Sequence, residues 1–284
     1  MKKLISFLLL FTSVISFSQG DTLSKKQIRK NRPTYISLGV GFNRNSFRDF
    51  ATSPLFYSGI IPAYFIGYKK SNDKREGLFD IQYTAGSQKY KSVENDTKTK
   101  FWSLTFNYHK LYQIKSWSNE KWNFKTGGAV QITNNFRINE ILENNAYGYE
   151  GFLNVLFANK ISRDISRNRT INKIFWIFHY NRKPRKREIS YQLNIGACNN
   201  YVRNGFIYLG QSDVINNFHL LDNYKAGIFK GYRINSSLNY TIYLKNKNAI
   251  QFSYNWDALS TIGKFDRFDM ASHRLNFSLL FNLK

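Results

Sequence analysis

The chain is poor in acidic residues, in proline and in cysteine. Its 284 residues include 18 Asp and Glu against 42 Lys and Arg, which gives a formal net charge of +24 at pH 7, and it has 4 prolines and 1 cysteine. A lone cysteine, Cys198, cannot form an internal disulfide. We expect Cys198 to be a small buried side chain, and we expect the fold to depend on packing and backbone hydrogen bonds.

Long apolar runs are also scarce. The mean hydropathy is −0.46, whereas each transmembrane helix needs about 20 consecutive apolar residues, so a bundle of membrane helices is excluded. Aromatic residues make up 17% of the chain, which excludes a disordered protein, because disordered chains contain few aromatic residues. A soluble aromatic-rich β domain and a membrane β-barrel remain.

The N-terminus has the pattern of a secretory signal peptide. Basic Lys2 and Lys3 precede the apolar run 4–17, and the small residues Ser16 and Ser18 stand just before Gln19. A basic start, an apolar core and a small-residue cleavage site are typical of an export signal. We predict a signal peptide over residues 1–18, cleaved after Ser18, and a basic N-terminal arm over residues 19–33. Export argues against a nucleic-acid partner, although the net charge alone would suit one.

The rest of the chain alternates between apolar and polar residues. Eight runs alternate cleanly, at 35–43, 79–86, 102–109, 122–132, 190–197, 232–244, 250–257 and 274–283; two more, at 57–68 and 149–161, alternate less cleanly. Successive side chains of a strand face opposite sides of the sheet, so the pattern predicts ten strands with one apolar and one polar face each. The runs approach the length of a tilted membrane-spanning strand, about 9–11 residues.

Both a soluble sandwich and a membrane barrel alternate in this way. In the barrel the apolar faces meet lipid and the polar faces line the inside. Here Trp, Tyr and Phe lie near the ends of the apolar faces, as in the aromatic girdles of membrane barrels. The polar faces consist mostly of Asn, Gln, Ser, Thr and Gly, with fewer charges than a water-exposed sheet usually shows. We therefore favour the barrel over a soluble barrel or sandwich.

With the export signal, the ten alternating runs and the closing run 274–283, the chain resembles the small integral outer-membrane β-barrels of double-membraned bacteria. The resemblance covers residues 34–284 and is to a class rather than to a specific family. It implies an all-β, antiparallel, up-and-down transmembrane barrel of about ten strands, located in the cell outer membrane.

The polar faces predict a largely filled barrel interior. We expect the following side chains to point inward: Tyr35, Asp80, Lys125, Arg233, Asp257 and Arg274. The charged ones would pair with one another, because unpaired charge is costly inside a protein. Barrels of about eight strands have an interior filled by side chains, and ten strands are close to that number. We predict no large general pore.

The connections suggest a topology with both termini in the periplasm. The predicted outer loops are 44–55, 88–100, 134–148, 199–231 and 257–272, and the predicted inner connections are 69–77, 110–121, 160–187 and 245–248. Outer loops should be the longer ones. Nearly all of the excess positive charge then lies in the arm and the inner connections. This distribution favours contact with acidic lipid head groups, with an acidic periplasmic partner at 160–187, protein or cell-wall polymer, as the alternative.

The long inner connection 160–187 has a pattern of its own. Ile171, Ile174, Phe175 and Phe178 fall at i, i+3, i+4 and i+7, and a strongly basic stretch follows at 182–187. This spacing predicts a short basic amphipathic helix on a membrane surface. The alternative is an extra strand over 171–180, paired with one near 206–209, which would give twelve strands.

Catalytic motifs are not evident. The histidines, His109, His179, His219 and His273, lack metal-ligand spacing, and we find no phosphate-binding loop or nucleophile motif. The nearest catalytic constellation is Asp266, Asp269 and His273 on the last outer loop, with His219 and Asp222 on another.

We therefore assign no catalytic, cofactor-binding or metal-binding residue, and we expect no cofactor. The leading hypothesis is a non-enzymatic barrel with a structural, binding or envelope-assembly role. A narrow channel for small anionic solutes and a hydrolase at the barrel rim are the alternatives.

Overall fold

A computed structural model describes residues 32–90, 97–167, 170–175, 178–182, 184–204, 224–263 and 266–283. The predicted signal peptide 1–18 lies outside the described residues, as do residues 19–31 of the predicted arm, His219, Asp222 and the segment 206–209. No helix within the described ranges is long and apolar enough to cross a membrane.

The described residues are mostly strand. The strands are β1 Thr34–Asp49, β2 Ser53–Ser71, β3 Arg75–Tyr90, β4 Thr97–Gln113, β5 Trp122–Ile138, β6 Tyr147–Asp164, β7 Ile171–Phe175, β8 Phe178–Arg182, β9 Arg187–Asn204, β10 Tyr224–Gly227, β11 Tyr232–Tyr243, β12 Ala249–Ser260 and β13 Phe268–Asn282. Two 3₁₀ turns, Lys115–Trp117 and Glu140–Asn145, lie in connections.

Antiparallel pairing closes these strands into a barrel. Around the barrel the order is β1, β2, β3, β4, β5, β6, β9, β11, β12 and β13, and β13 pairs with β1 to close the ring. This confirms the prediction of ten strands. We call the end that holds Thr34 and Asn282 the near end, and the end that holds Asp49 and Phe268 the far end.

One position in the ring is filled by two strands. β10 and β11 both pair with β9, β10 opposite residues 201–204 and β11 opposite residues 187–195. Between them Phe229 and Gly231 have φ angles of 54° and 83°. Left-handed backbone of this kind breaks a ladder, because it does not fit extended strand geometry. β10 and β11 therefore act as one interrupted barrel strand.

Outward and inward faces alternate as predicted. On β1, Leu38, Val40 and Phe42 are exposed on the outer wall, whereas Tyr35 and Asn43 are buried inside. A sheet in which the large apolar residues face out and the polar residues face in cannot be a soluble two-layer sandwich. The apolar band needs a lipid environment.

The strands run further toward the far end than the sequence predicts. About half or more of each of the predicted outer loops 44–55, 88–100, 134–148 and 257–272 is strand, and at the far end the strands leave only 50–52, 91–96, 139–146 and 261–267 between them. The expectation of long outer loops at these four positions is wrong. The reason is that the alternation continues into these segments, but with the apolar residues facing inward and the polar residues facing outward. Phe47 and Phe268 face inward here, whereas Arg48 and Asp269, which pair in the β1–β13 register, face outward.

The predicted helix in 160–187 is also wrong. β7 and β8 form a two-stranded hairpin in which Phe175 is paired with Phe178. The alternative prediction of an extended segment at 171–180 agrees with the structure. However, β7 and β8 form a two-stranded sheet of their own and do not raise the number of barrel strands to twelve. Isolated helices this short are marginal in water, and a segment rich in Ile, Phe, Trp and Tyr favours strands.

A bulge in β9 changes which residues face the lumen. Val155 of β6 is paired with Cys198, whereas its neighbour Leu156 is paired with Gly196, so Ala197 is an extra residue. Beyond the bulge the inward parity shifts by one, which turns Arg203 into the lumen. Cys198 lies opposite the exposed Val155 and is half-buried rather than fully buried, which corrects our expectation.

Candidate functional site: the barrel lumen

The near end of the lumen is a lysine layer around one carboxylate. Glu76 lies 2.6 Å from Lys160 Nζ, 3.4 Å from Lys125 Nζ and 4.0 Å from Lys69 Nζ. His109 Nε2 lies 3.4 Å from the same carboxylate. Lys125 and Lys160 are almost fully buried. Positive charge exceeds negative charge among these five side chains, even with the histidine neutral.

The central layer is organised by one buried arginine. Arg233 donates to both oxygens of Asp257, at 3.1 Å from Nε and 2.6 Å from Nη2. It also donates from Nη1 to Thr133 Oγ1 and Asn154 Oδ1, each at 3.0 Å. A guanidinium with both edges engaged is fixed in place, because its donors form a rigid fork.

A second carboxylate, Asp80, lies in the same part of the lumen. It accepts hydrogen bonds from Asn107 at 2.9 Å and from Gln82 at 2.7 Å. Arg274, Arg233 and Asp257 line a small polar cavity of about 20 Å³ nearby. A cavity of this size holds about one water molecule. The centre of the barrel is therefore filled by side chains.

The far-end layer consists of two arginines and two carboxylates. Arg137 is bonded to Asp49 at 2.6 Å and to Glu150. Arg203, which the β9 bulge turns inward, contacts Asp49 at 2.5 Å. All four side chains are buried. Their formal charges cancel, so this layer closes the lumen without an excess charge.

An aromatic layer packs against these ion pairs. Phe47 stacks on Tyr57, Phe101 and Phe268, with centroid separations of 5.1, 6.1 and 6.1 Å. The Arg137 guanidinium lies 4.7 Å from the centroid of the Phe47 ring. These rings come from opposite parts of the chain and are at most 2% exposed. They form a hydrophobic core inside the far end of the barrel, similar to the core of a soluble protein.

The predicted lumen residues all face inward. Tyr35, Asp80, Lys125, Arg233 and Asp257 are buried, and Arg274 lines the central cavity. The pairing of Arg233 with Asp257 is confirmed, whereas Lys125 pairs with Glu76 instead of with another predicted residue. Sequence reasoning missed Glu76, Lys160, Asp49, Arg137, Glu150 and Arg203. The sequence pattern assigns Glu76, Lys160, Asp49 and Arg137 to connections, and it places Glu150 at the start of the less clean run 149–161 without an inward role. The β9 bulge, which turns Arg203 inward, leaves no signal in the alternation.

Of the predicted rim constellation, the three residues that the structure describes, Asp266, Asp269 and His273, are engaged with other partners. Asp266 pairs with Lys225 at 3.0 Å, and Asp269 binds Arg267 at 2.7 Å. His273 lies on the outer wall, with its Nδ1 2.7 Å from the hydroxyl of Tyr254. Asp269 and His273 are four residues apart on one strand face, which separates their Cα atoms by roughly 13 Å. In the part of the chain that the structure describes, no group of His, Cys, Asp and Glu could hold a metal ion.

Comparison with known proteins reveals likeness at the level of structure. No protein-family model matches the chain, and no curated protein sequence matches it. The barrel is similar to the outer membrane protease OmpT from Escherichia coli, with a TM-score of 0.55 and 9% identity over 93% of this chain and 99% of that structure.

Two further solved structures match less well. An outer membrane channel from Pseudomonas putida F1 gives a TM-score of 0.35 at 9% identity, over 94% of this chain and 100% of that structure. Ail, the attachment invasion locus protein of Yersinia pestis, gives 0.31 at 9% identity, over 88% and 99%. At 9% identity the OmpT likeness defines a shared fold and nothing about activity.

The closed ring, the outward apolar band and the OmpT likeness place the chain in one structural class. It is a closed β-barrel of ten strands with the fold of an outer-membrane barrel. Its lumen is divided into a lysine layer, a central arginine layer and a far-end layer of ion pairs and stacked aromatic rings.

Proposed function

We propose that the protein is a non-enzymatic barrel of the bacterial outer membrane with a closed lumen, and that it serves as a structural, binding or envelope-assembly element. The observation that carries the proposal is the aromatic layer around Phe47 and Phe268, whose buried, stacked rings fill the lumen between the described strands at the far end. Residues 1–18 act as the cleaved export signal, with cleavage after Ser18. Both barrel termini face the periplasm, so the far end faces outward.

Fixed contacts support a permanently closed lumen. A flexible loop can leave a pore, but the side chains here belong to barrel strands and are tied to several strands at once. Arg233 links β11 to β5, β6 and β12. Arg137 links β5 to β1 and β6. Removing one partner of a buried ion pair typically costs about 3–5 kcal/mol, so opening the lumen by breaking such pairs is unfavourable.

Single-channel recording in planar bilayers tests the closed lumen. The full barrel, refolded and inserted, is expected to give no stepwise conductance. The triple variant Phe47→Ala, Phe268→Ala, Arg233→Ala removes two stacked rings from the far-end layer and the side chain that fills the centre, and it is expected to give measurable steps. The matched control is Phe42→Ala, which removes a ring of the same kind from the outer wall of the same strand. Steady ion-selective steps from the unaltered protein would overturn the proposal.

The basic near end provides a binding surface for anionic groups. Arg163 lies 4.9 Å from the ring centroid of the outward-facing Trp122. Arg185 and Lys186 are exposed in the connection at the same end. Basic side chains beside aromatic rings suit the head-group region of a membrane. We propose acidic lipid as the usual contact of this surface and an acidic periplasmic partner at 160–187 as a further one. Co-sedimentation with anionic and zwitterionic vesicles tests the first. Loss of a periplasmic crosslink in an Arg185→Gln, Lys186→Gln variant tests the second.

A narrow channel for small anions is the second candidate. The lysine layer favours it, because three ammonium groups around Glu76 would attract anions to the near-end mouth. Such a channel requires both the far-end aromatic layer and the central Arg233 layer to open. Reversal-potential measurements across a salt gradient separate the two candidates: an anion-selective current that Lys125→Gln reduces supports the channel, and its absence supports the closed barrel.

The non-enzymatic part of the proposal has its own test. Asp269 and His273 are each engaged with other partners, so a shared catalytic role would need them to move. Peptide and lipid hydrolysis by the inserted barrel should be at background level and unchanged in His273→Ala. Hydrolysis that His273→Ala abolishes would establish the rim hydrolase instead.

A further inference from the structure

An open pocket lies on the outer wall of the barrel, between β1 and β13. Its volume is about 430 Å³, and Arg44, Ser46, Ala271 and His273 line it. Arg44 is directly opposite His273 in the strand register, and Ser46 is opposite Ala271. Directly opposed residues have Cβ atoms only about 5 Å apart. A guanidinium and an imidazole therefore sit side by side on a surface that faces away from the lumen.

The pocket lies where the outer wall changes from apolar to polar. Toward the near end, Phe42 and Leu275 are 69% and 64% exposed on the same face. Toward the far end, the outward-facing pair that follows Ser46 and Ala271 is Arg48 opposite Asp269. A boundary of this kind marks the depth at which hydrocarbon gives way to lipid head groups.

Aromatic residues beside the pocket indicate the same depth. Trp256 of β12 is paired with His273, and the Tyr254 hydroxyl lies 2.7 Å from His273 Nδ1. Trp and Tyr are enriched at the membrane–water interface, where an apolar ring and a polar tip are both satisfied. Because Nδ1 is engaged by the tyrosine, Nε2 is the histidine nitrogen that can meet a ligand.

The charge of the pocket calls for an anion. Among the described residues, no hydrogen bond or ion pair joins Arg44 to another protein group. Further out, the Arg48 guanidinium lies 4.1 Å from the centroid of Phe50 and the Arg267 guanidinium 5.0 Å from it. Asp269 offsets part of this charge through Arg267. The outer wall at this point is therefore basic, and the planar guanidinium fork of Arg44 matches the geometry of a phosphate.

We propose that this pocket binds the phosphate headgroup of a membrane lipid. Arg44 and His273 Nε2 hold the phosphate oxygens, Ser46 adds a hydroxyl donor, and the acyl chains lie along Phe42 and Leu275. The proposal rests on the outer-membrane location proposed above. The lipid is recognised by its phosphate together with its position at the membrane boundary, which free phosphate does not share.

Native mass spectrometry of the full barrel in detergent micelles tests the site. The probes are dioleoyl phosphatidate, dioleoylglycerol, which lacks only the phosphate, and inorganic phosphate as a competitor. The expected result is retention of phosphatidate but not of dioleoylglycerol. Arg44→Gln and His273→Gln should each weaken phosphatidate binding roughly 10-fold or more, as expected for a lost charge-assisted hydrogen bond. Arg44→Lys, which keeps the charge, should retain most of the binding.

The matched control is Lys110→Gln, which removes an outward cation near the opposite end of the barrel. Its phosphatidate binding should equal that of the unaltered protein. Equal binding by Arg44→Gln, equal binding of phosphatidate and dioleoylglycerol, or full displacement by inorganic phosphate would each overturn the proposal. Failure of the proposed membrane location is detected by a separate measurement: the chain would form no heat-modifiable barrel before any lipid is added. That result would overturn the lipid site as well.

Discussion

Arg233 and Asp257 are diagonal neighbours on adjacent strands, and the guanidinium of one holds both oxygens of the other's carboxylate. The remaining donor edge of Arg233 reaches Thr133 and Asn154 on β5 and β6. One side chain thus crosses the lumen and connects four strands. This single relationship explains why the centre of the barrel retains room for only about one water molecule.

Loss of the carboxylate from this pair should strongly destabilise the barrel. Asp257→Asn leaves the Arg233 charge buried without its partner, and we expect the free energy of unfolding to fall by about 3–5 kcal/mol. Urea titration of the barrel in detergent micelles, followed by gel mobility, measures the change. The control is Glu140→Gln, which breaks an exposed pair with Lys100 and should cost less than about 1 kcal/mol. Equal losses in the two variants would contradict the assignment of Arg233 as the central link.

Glu76 should be more important than its charge alone suggests. Glu76→Gln removes the carboxylate that lies within 4.0 Å of three lysines, and the buried ammonium groups then repel one another without compensation. We expect a lower midpoint of urea unfolding than for Glu188→Gln, a half-buried glutamate at the same end of the barrel. If the two midpoints coincide, the lysine layer does not depend on Glu76.

The far-end aromatic layer should behave as a packed core. Phe47→Ala deletes a ring that is 1% exposed, and large-to-small changes of this kind cost about 3–5 kcal/mol. Phe42→Ala, on the lipid-facing side of the same strand, leaves no internal cavity and should cost clearly less. Thermal unfolding in micelles compares the two. A larger loss for Phe42→Ala would mean that the inward and outward faces have been exchanged.

The orientation of the barrel can be measured with cysteine labelling. Cys198→Ser gives a background without cysteine, into which Glu140→Cys at the far end and Asp73→Cys at the near end are introduced separately. With both termini in the periplasm, a membrane-impermeant maleimide should label position 140 on intact cells. It should label position 73 only after the outer membrane is permeabilised. The reverse pattern would contradict the topology.

The sequence predicts the half of the barrel with the apolar outer band well, because there the apolar residues of the alternating pattern always face outward and the polar residues always face inward. Arg233, Asp257 and Lys125 could be assigned to the lumen for this reason alone. In the far-end half the apolar residues face inward instead, so Phe47 is buried in the lumen although Phe42 on the same strand faces outward. When the apolar face of a strand changes from the outside to the inside of the barrel, the alternation is interrupted, and the residues beyond the change are predicted as a loop.

Two other features were beyond the alternation pattern. The β9 bulge shifts the parity of Arg203, and an inserted residue such as Ala197 has no distinctive composition. The hairpin β7–β8 was mistaken for a helix because a few apolar residues in a short segment satisfy the helical and the extended spacing alike. Pair distances across the lumen, such as that from Arg203 to Asp49, depend on strand register, which a single sequence specifies only weakly.

The most direct test of the account is a spin-label scan along the closing strand β13. Nitroxides attached at Leu279→Cys and Ser278→Cys, in a Cys198→Ser background and in lipid vesicles, report collisions with oxygen and with a water-soluble nickel chelate. The account predicts high oxygen and low nickel accessibility at 279, and low accessibility to both reagents at 278, repeating with a period of two along the strand. A label at 279 that is immobile and shielded from oxygen, with one at 278 open to the nickel chelate, would contradict it.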